Sequence, residues 1–461
     1  MTPLIISLSG VRGIIGNSLT PDVLSKLAAS FGTILGGGKI IVATDSRASG
    51  EMCLQAVTSG LISSGCDVIK IGISPTPSLQ IMVEKLKARG GICITASHNP
   101  PEWNGLKFYG SDGILIRPAQ AKKLLSVYRH STSTRRRGID YVSIDKLGKV
   151  KVLKHTHLIH INSILRKLDV KLIRKSKFKV VIDSGNGAGS IMTPIFLRKL
   201  GCQVVKLNCK AEGFFNRLPE PIPENISQLR SVVLKEKAEI GFAQDADADR
   251  LAVVSEKGKC LGEEYSLALA AEFILTQEPG TVVTNLSTTK AIDAIAKKSG
   301  CRCVRTKIGE INVIEGMKKA GAVIGGEGNG GVILPSVHYG RDSLVGMGLI
   351  LQYMSETRMP ISALADSIPR YHMIKGKINL KEANKEEVLK KLRSLFKDVE
   401  LNLEDGVKVM WKDSWVHVRP SGTEPVLRII AEAKTKKEAS KIYRTVVSLI
   451  QSKRQAAKLR V

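Results

Sequence analysis

Aromatic residues make up only 4% of this 461-residue chain, and its eight cysteines form neither a CxxC pair nor a dense framework. The first scarcity removes the stacking platforms on which readers of single-stranded nucleic acid depend. The second excludes a small disulfide-stapled secreted domain, so a reducing, cytoplasmic setting is expected. No apolar run approaches the ~18 residues of a spanning helix. The opening Met1-Thr2-Pro3-Leu4-Ile5-Ile6-Ser7 lacks the basic and apolar regions of a signal peptide. Neither membrane insertion nor export is predicted. Acid is scarce too, with 42 Asp+Glu against 70 Lys+Arg and a formal charge of +28. Such a field draws polyanions and phosphorylated metabolites alike. The excess is spread along the chain and densest at Arg135-Arg136-Arg137, at 171–179 and at Lys453-Arg454, as expected of solvated faces. No nucleic-acid reader module accompanies it, so no nucleic-acid partner is expected.

What is plentiful is Gly, Ala, Ile, Leu and Val, which suits helices laid on sheets, and 43% hydrophobic content over this length predicts two to four compact units. Strand-like runs at 39–43, 68–71 and 91–96 alternate with amphipathic stretches at 52–64 and 79–87, a βαβ rhythm with parallel strands. Gly65-Cys66, Gly201-Cys202 and Gly300-Cys301 each follow a helix-like segment and open a strand-like one. These read either as three related α/β units or as ordinary helix-to-strand grammar. Segment 129–151 mixes Ser, Thr, Arg and Gly and reads as a linker into a helix over 153–168. The expected units are 1–140, 150–258, 259–369 and 372–461, the last a smaller α+β domain.

Four constellations carry chemistry. Thr95-Ala96-Ser97-His98-Asn99-Pro100 follows a strand, where α/β proteins place ligands. Ser97 reads equally as a nucleophile and as part of a turn before Pro100. His98 is not thereby its base, since neighbours in extended chain face apart. Lys107, shortly after, could neutralise a phosphate or serve in proton transfer. Asp245-Ala246-Asp247-Ala248-Asp249-Arg250 sets three carboxylates at alternate positions. Their mutual repulsion is relieved by a hard divalent cation, Mg²⁺ being the natural candidate. An EF-hand is excluded by Arg250 at its glycine position and by the strand-like 251–254. Gly325-Gly326-Glu327-Gly328-Asn329-Gly330-Gly331 offers close backbone approach with one acid and one amide suited to sugar hydroxyls, or a plain flexible loop. Arg419-Pro420-Ser421-Gly422-Thr423-Glu424-Pro425, with Arg428 following, concentrates donors for a phosphate dianion. Asp183 to Gly189 has alternating glycines rather than GxGxxG and reads as a strand-to-helix turn. His155, His157 and His160 fall in a helix, where positions two apart diverge, and predict no metal site. Cys301 and Cys303 read as packing residues.

In this order, and joined to Ser9-Gly10-Val11-Arg12-Gly13, the four motifs resemble the α-D-phosphohexomutase family, which includes phosphoglucomutase/phosphomannomutase and phosphoglucosamine mutase. The likeness spans the chain. It implies an α/β protein of three related domains with mixed sheets plus a smaller C-terminal α+β domain, around a central cleft. It implies a phosphoserine at Ser97, with Mg²⁺ held by Asp245, Asp247 and Asp249 together with Ser97. Arg12, His98, Lys107 and Arg250 would line the reacting centre, and Glu327 and Asn329 would grip sugar hydroxyls. Arg419, Ser421, Gly422, Thr423 and Arg428 would hold the phosphate that is not reacting. The implied reaction interconverts hexose or hexosamine 1- and 6-phosphates through glucose or glucosamine 1,6-bisphosphate. The only partner implied is the small sugar phosphate, acted on by a monomer or homodimer. The metal loop reads DADADR where DGDADR is usual. Many bacterial relatives carry Gly-Glu-Met-Ser-Gly-His at the sugar loop, whereas the GEGNGG form here looks closer to archaeal-type phosphoglucosamine mutases.

Overall fold

The computed structural model describes residues 4–7, 10–131, 138–379, 385–421 and 426–451. Their strands form four sheets. In the first, Gly38–Thr44 pairs in parallel with Cys66–Ile73 on one side and Gly90–Ile94 on the other, and Trp103–Gly110 returns antiparallel beside Gly90–Ile94. In the second, Lys179–Asp183 lies in parallel between Gln203–Leu207 and Ile240–Gln244, and Leu251–Ser255 returns antiparallel. In the third, Val282–Asn285 lies in parallel between Cys303–Thr306 and Ile324–Glu327, and Gly331–Ile333 returns antiparallel. The three units therefore share one topology. The Gly-Cys steps have the same job in each, because Gly65, Gly201 and Gly300 all have φ between 65° and 82°, the left-handed turn that ends a helix and returns the chain to its sheet.

The shared topology places the motifs equivalently. The Ser97 loop, the Asp245–Asp249 loop and the Glu327–Asn329 loop each join the last parallel strand of a unit to its antiparallel return strand. Parallel strands covered by helices on both faces carry apolar residues throughout, and Ile240–Gln244 and Leu251–Ser255 are buried at every position. The fourth sheet is antiparallel throughout, in the order His372–Asn379, Val426–Ala433, Trp415–Pro420, Val407–Met410, Glu400–Asn402.

One hydrophobic cluster runs from Ile161 to Ile368 through the second and third units, while the fourth keeps a core of its own. The middle units cannot part without exposing that cluster. The fourth meets the third largely through polar groups: Lys408 Nζ donates to Leu286 O at 2.6 Å, and the Ile308 N–H to Asp405 Oδ2 at 3.0 Å.

Two local expectations change. The stretch read as linker runs into a strand, Val150–Val152, which adds in parallel to the edge of the first sheet beside Cys66–Ile73. It escaped notice because all three residues are exposed, so no burial pattern marks it. The helix expected over 153–168 is shorter, His157–Leu165, with a second helix at Val170–Ser176. Among the described residues no helix is long and apolar enough to cross a membrane, and all eight cysteines are free.

Candidate active site

Ser97 sits at the mouth of the first unit with φ of 51° and only 1% exposed. Its Oγ donates to Asp245 Oδ2 at 2.9 Å, joining loops 148 positions apart. Non-glycine residues enter the left-handed region at a cost of about 1–3 kcal/mol, and such strain collects where geometry serves function. The turn reading and the nucleophile reading of Ser97 are thus compatible with one geometry.

The three aspartates are buried, and their ligand oxygens lie within 4.8 Å of one another. Asp247 and Asp249 each commit one oxygen to protein donors, and Asp245 commits both, its Oδ2 being the acceptor of Ser97 Oγ. Asp247 Oδ2 accepts from Thr76 Oγ1 at 2.6 Å and from Lys107 Nζ at 2.6 Å. Asp249 Oδ2 accepts from Arg341 Nη2 at 2.7 Å and Lys107 Nζ at 3.3 Å. Asp245 Oδ1 accepts from the backbone N–H of Asp249 and Arg250. The second oxygens of Asp247 and Asp249 are buried with no hydrogen-bond partner among the described residues. Burial, followed by Asp249 and Asp247, drives the Asp245 carboxyl well above the usual carboxylate range. Unsatisfied buried carboxylate oxygens are costly, and three hard oxygen donors with two orphaned lone-pair sites fit a hard divalent cation. Alanine at 246 is tolerated here because the left-handed residue of the loop is Ala248, at φ 54°.

Around Ser97 the remaining predicted residues are cationic or polar. Arg12 Nη1 donates to Asn99 Oδ1 at 2.8 Å. Burial, then the neighbouring Arg250, pushes its guanidinium down to about 10. His98 is held well below its ordinary value by burial, then by Arg250 and Arg12. Its Nδ1 is buried without a partner among the described residues. Burial disfavours the Lys107 ammonium, but Asp247 and Asp249 outweigh that and hold it above its ordinary range. Cations that depress one another in a buried cleft favour an anion between them.

Glu327 accepts from Arg341 Nη1 at 2.8 Å and from Asn285 Nδ2 at 2.9 Å, so it arrives at the cleft already oriented. Asn329 is half-buried beside it. In the fourth unit, Arg419 and Arg428 face each other across the antiparallel ladder. Like charges placed directly opposite are destabilising, and Arg419 is also depressed by burial; an anion between them removes the conflict. Ser421 is buried, and its N–H donates to Val426 O. Gly422 and Thr423 lie outside the described residues. Arg428 also contributes to the depression of His98.

Sequence reasoning missed Thr76 and Arg341. Arg341 bridges the Asp245–Asp249 loop and the Glu327–Asn329 loop through Asp249 and Glu327, yet stands between Gly340 and Asp342 with no motif to mark it. Asp342 carried a readable signal, an N-cap that accepts from the Leu344 and Val345 N–H groups. Of the three histidines, His160 alone joins a buried cluster, bonded to Asp342 Oδ2 at 2.6 Å with His338 at 3.1 Å from the same oxygen. These are hydrogen-bond separations. The Asp183 to Gly189 turn is a strand-to-helix turn as expected, and the Ala188 N–H braces the metal loop at Ala246 O, 2.7 Å away.

The chain matches four family models in succession: phosphoglucomutase/phosphomannomutase α/β/α domains I, II and III over residues 5–135, 159–258 and 262–371, and the family's C-terminal domain over 378–448. It is 36% identical to a phosphoglucomutase/phosphomannomutase of Thermococcus kodakarensis, over 96% of this chain and 97% of that protein. It is also 36% identical to a protein of Methanopyrus kandleri described as "Probable phosphoglucosamine mutase", over 96% of each chain. Among solved structures, a phosphoglucomutase/phosphomannomutase family protein from Burkholderia thailandensis superposes with a TM-score of 0.83 at 26% identity, covering 98% of this chain and 99% of that one.

Proposed function

Because the chain belongs to the phosphoglucomutase/phosphomannomutase family, we propose that its cleft interconverts hexose or hexosamine 1- and 6-phosphates, with Ser97 as the phosphoryl carrier. The observation that carries the reading is the contact between Ser97 Oγ and Asp245 Oδ2, which sets a strained hydroxyl against a buried three-carboxylate cluster.

Asp245, Asp247 and Asp249, together with an oxygen of phosphorylated Ser97, would hold Mg²⁺. The ion when bound supplies charge neutralisation to the transferring phosphoryl oxygens. Arg12, Arg250 and His98 bind the same group from the protein side. The sugar hydroxyl attacks phosphorus as the bond from phosphorus to Ser97 Oγ breaks. One proton passes from that hydroxyl to the serine oxygen, and Lys107 is our candidate for its relay. The product of this half is a 1,6-bisphosphate. After it turns end for end, its other phosphate returns the phosphoryl group to Ser97 by the same step in reverse.

Glu327 and Asn329 orient the ring through its hydroxyls. Arg419 and Arg428, with Ser421, Gly422 and Thr423, grip whichever phosphate is not reacting. Both ends of the substrate must be accepted by one cradle, which suits the fourth unit's separate core and polar seam with the third. Free cysteines agree with action in a reducing cytoplasm.

The GEGNGG sugar loop and the Methanopyrus relative favour phosphoglucosamine mutase; the name of the Thermococcus relative supports the phosphoglucomutase/phosphomannomutase alternative. Comparing kcat/KM for glucosamine, glucose and mannose 6-phosphates, with Mg²⁺ and a trace of glucose 1,6-bisphosphate, decides between them. Absence of turnover on all three contradicts the proposal.

A further inference from the structure

The turn Asp45-Ser46-Arg47 follows the strand Gly38–Thr44 and contributes no group to the chemistry above, yet it is almost wholly buried. Every N–H of the Arg47 guanidinium is used. Nη2 donates to Ser97 O and Asn99 O, both at 2.8 Å; Nη1 donates to Pro100 O at 2.6 Å and Trp103 O at 3.0 Å; Nε donates to Asp45 Oδ2 at 3.0 Å. Three carbonyls of the loop and one from the start of the strand Trp103–Gly110 are thus gathered on one planar fork. Asp45 Oδ2 also accepts from Thr95 Oγ1 at 2.6 Å, and that oxygen accepts from the Ser97 N–H at 2.9 Å. The strained φ of Ser97 is held from both its amide and its carbonyl.

The middle residue of the turn reaches the other way. Ser46 Oγ donates to Asn186 O at 2.6 Å, in the loop whose Ala188 N–H holds the metal loop at Ala246 O. The Arg47 guanidinium also lies 5.0 Å from the centroid of the Phe215 ring in the second unit. Three consecutive residues therefore touch the carrier loop of one unit and the support of the metal loop of the next. In-line transfer demands that those two loops keep their separation, since a displacement of ~1 Å can cost about 100-fold in rate.

We infer that Arg47 is a positioning residue for phosphoryl transfer, fixing the Ser97 loop, and that Ser46 ties this loop to the metal-bearing unit. The inference rests on the phosphoserine reading of Ser97. A lysine at 47 keeps the charge but cannot reproduce the fork, whereas free guanidinium can refill the space left by alanine.

The test is single-turnover transfer from glucose 1,6-bisphosphate to Ser97, followed by mass spectrometry, in the unaltered protein, Arg47→Lys, Arg47→Ala and Ser46→Ala, with thermal melts of each. Arg47→Lys is expected to slow transfer by about 100-fold while KM for the sugar phosphate stays within about twofold. Arg47→Ala is expected to be slower still and to recover in part with sub-denaturing guanidinium. Ser46→Ala, losing one hydrogen bond, should slow transfer by up to about tenfold. Label on Ser97 of the unaltered protein together with unchanged transfer in Arg47→Lys overturns the positioning role alone. So does a loss carried wholly by KM. Failure of both Arg47 variants to fold, with Ser46→Ala transferring normally, overturns it in favour of a purely structural role. No label on Ser97 of the unaltered protein removes the phosphoserine reading on which the inference stands.

Discussion

Lys107→Met isolates the electrostatics of the metal loop without touching a carboxylate. Lys107 Nζ is the cation shared by Asp247 and Asp249, at 2.6 and 3.3 Å, and both carboxylates are at most 1% exposed. Methionine keeps most of the stem's volume, so the change is chiefly the loss of a buried charge. Removing one partner of a buried ion pair typically costs about 3–5 kcal/mol; Thr76 and Arg341 still hold one oxygen of each carboxylate, which places the expected loss near the low end. At roughly 2–4 °C per kcal/mol for a cooperative unit of this size, the melting midpoint should fall by about 6–12 °C. Magnesium must then stabilise the variant more than the parent, because it replaces the missing positive charge. At a Mg²⁺ concentration 100 times the parent's Kd the parent gains about 2.7 kcal/mol, and the variant's excess at that same concentration reports its tighter binding and so the relieved repulsion. The assay is thermal melting of both proteins across a Mg²⁺ titration, independent of turnover. An equal drop in midpoint with and without Mg²⁺ would refute the reasoning.

A methyl at Gly328 would sit 2.1 Å from Glu264 Oε2 and 2.4 Å from Oε1, and that carboxylate is pinned by the Thr289 N–H and by Lys375; Gly328→Ala should therefore shift the sugar loop and raise KM for sugar phosphate while transfer from a bisphosphate to Ser97 survives, as steady-state and single-turnover kinetics together will show. Lys408 is pushed down to about 7 by burial, then by Arg305, against ~10.4 in an unfolded chain. Between those values the folded chain binds fewer protons than the unfolded one, so this residue makes stability rise with pH from about 7 to about 10 and contributes no slope below. From pH 7 to 9.5 the urea midpoint of the parent should rise relative to that of Lys408→Met, and parallel pH profiles would contradict the assignment.

The regular parts of the fold were legible because burial leaves a mark on sequence. Ile240–Gln244 and Leu251–Ser255 read as strands since every position is buried, and the Gly-Cys steps read as helix ends since each needs a positive φ. Val150–Val152 was not legible, because an exposed edge strand carries no alternation. In the site, residues packed into motifs were found and residues that converge from separate loops were not. Thr76 and Arg341 reach the metal loop across 171 and 92 positions, a proximity made by sheet topology. Arg47 was hidden for the same reason, its fork meeting carbonyls 50 to 56 positions away.

The account's central claim is that Ser97 carries the phosphoryl group between the two ends of the sugar. The most direct measurement incubates the unaltered protein and Ser97→Ala with Mg²⁺ and glucose 1,6-bisphosphate, maps phosphate by peptide mass spectrometry, and follows hexosamine 1-phosphate to 6-phosphate conversion in the same samples. The account predicts phosphate on the peptide containing Ser97 and conversion in the unaltered protein, with both lost in Ser97→Ala. Conversion at an undiminished rate by Ser97→Ala would contradict it.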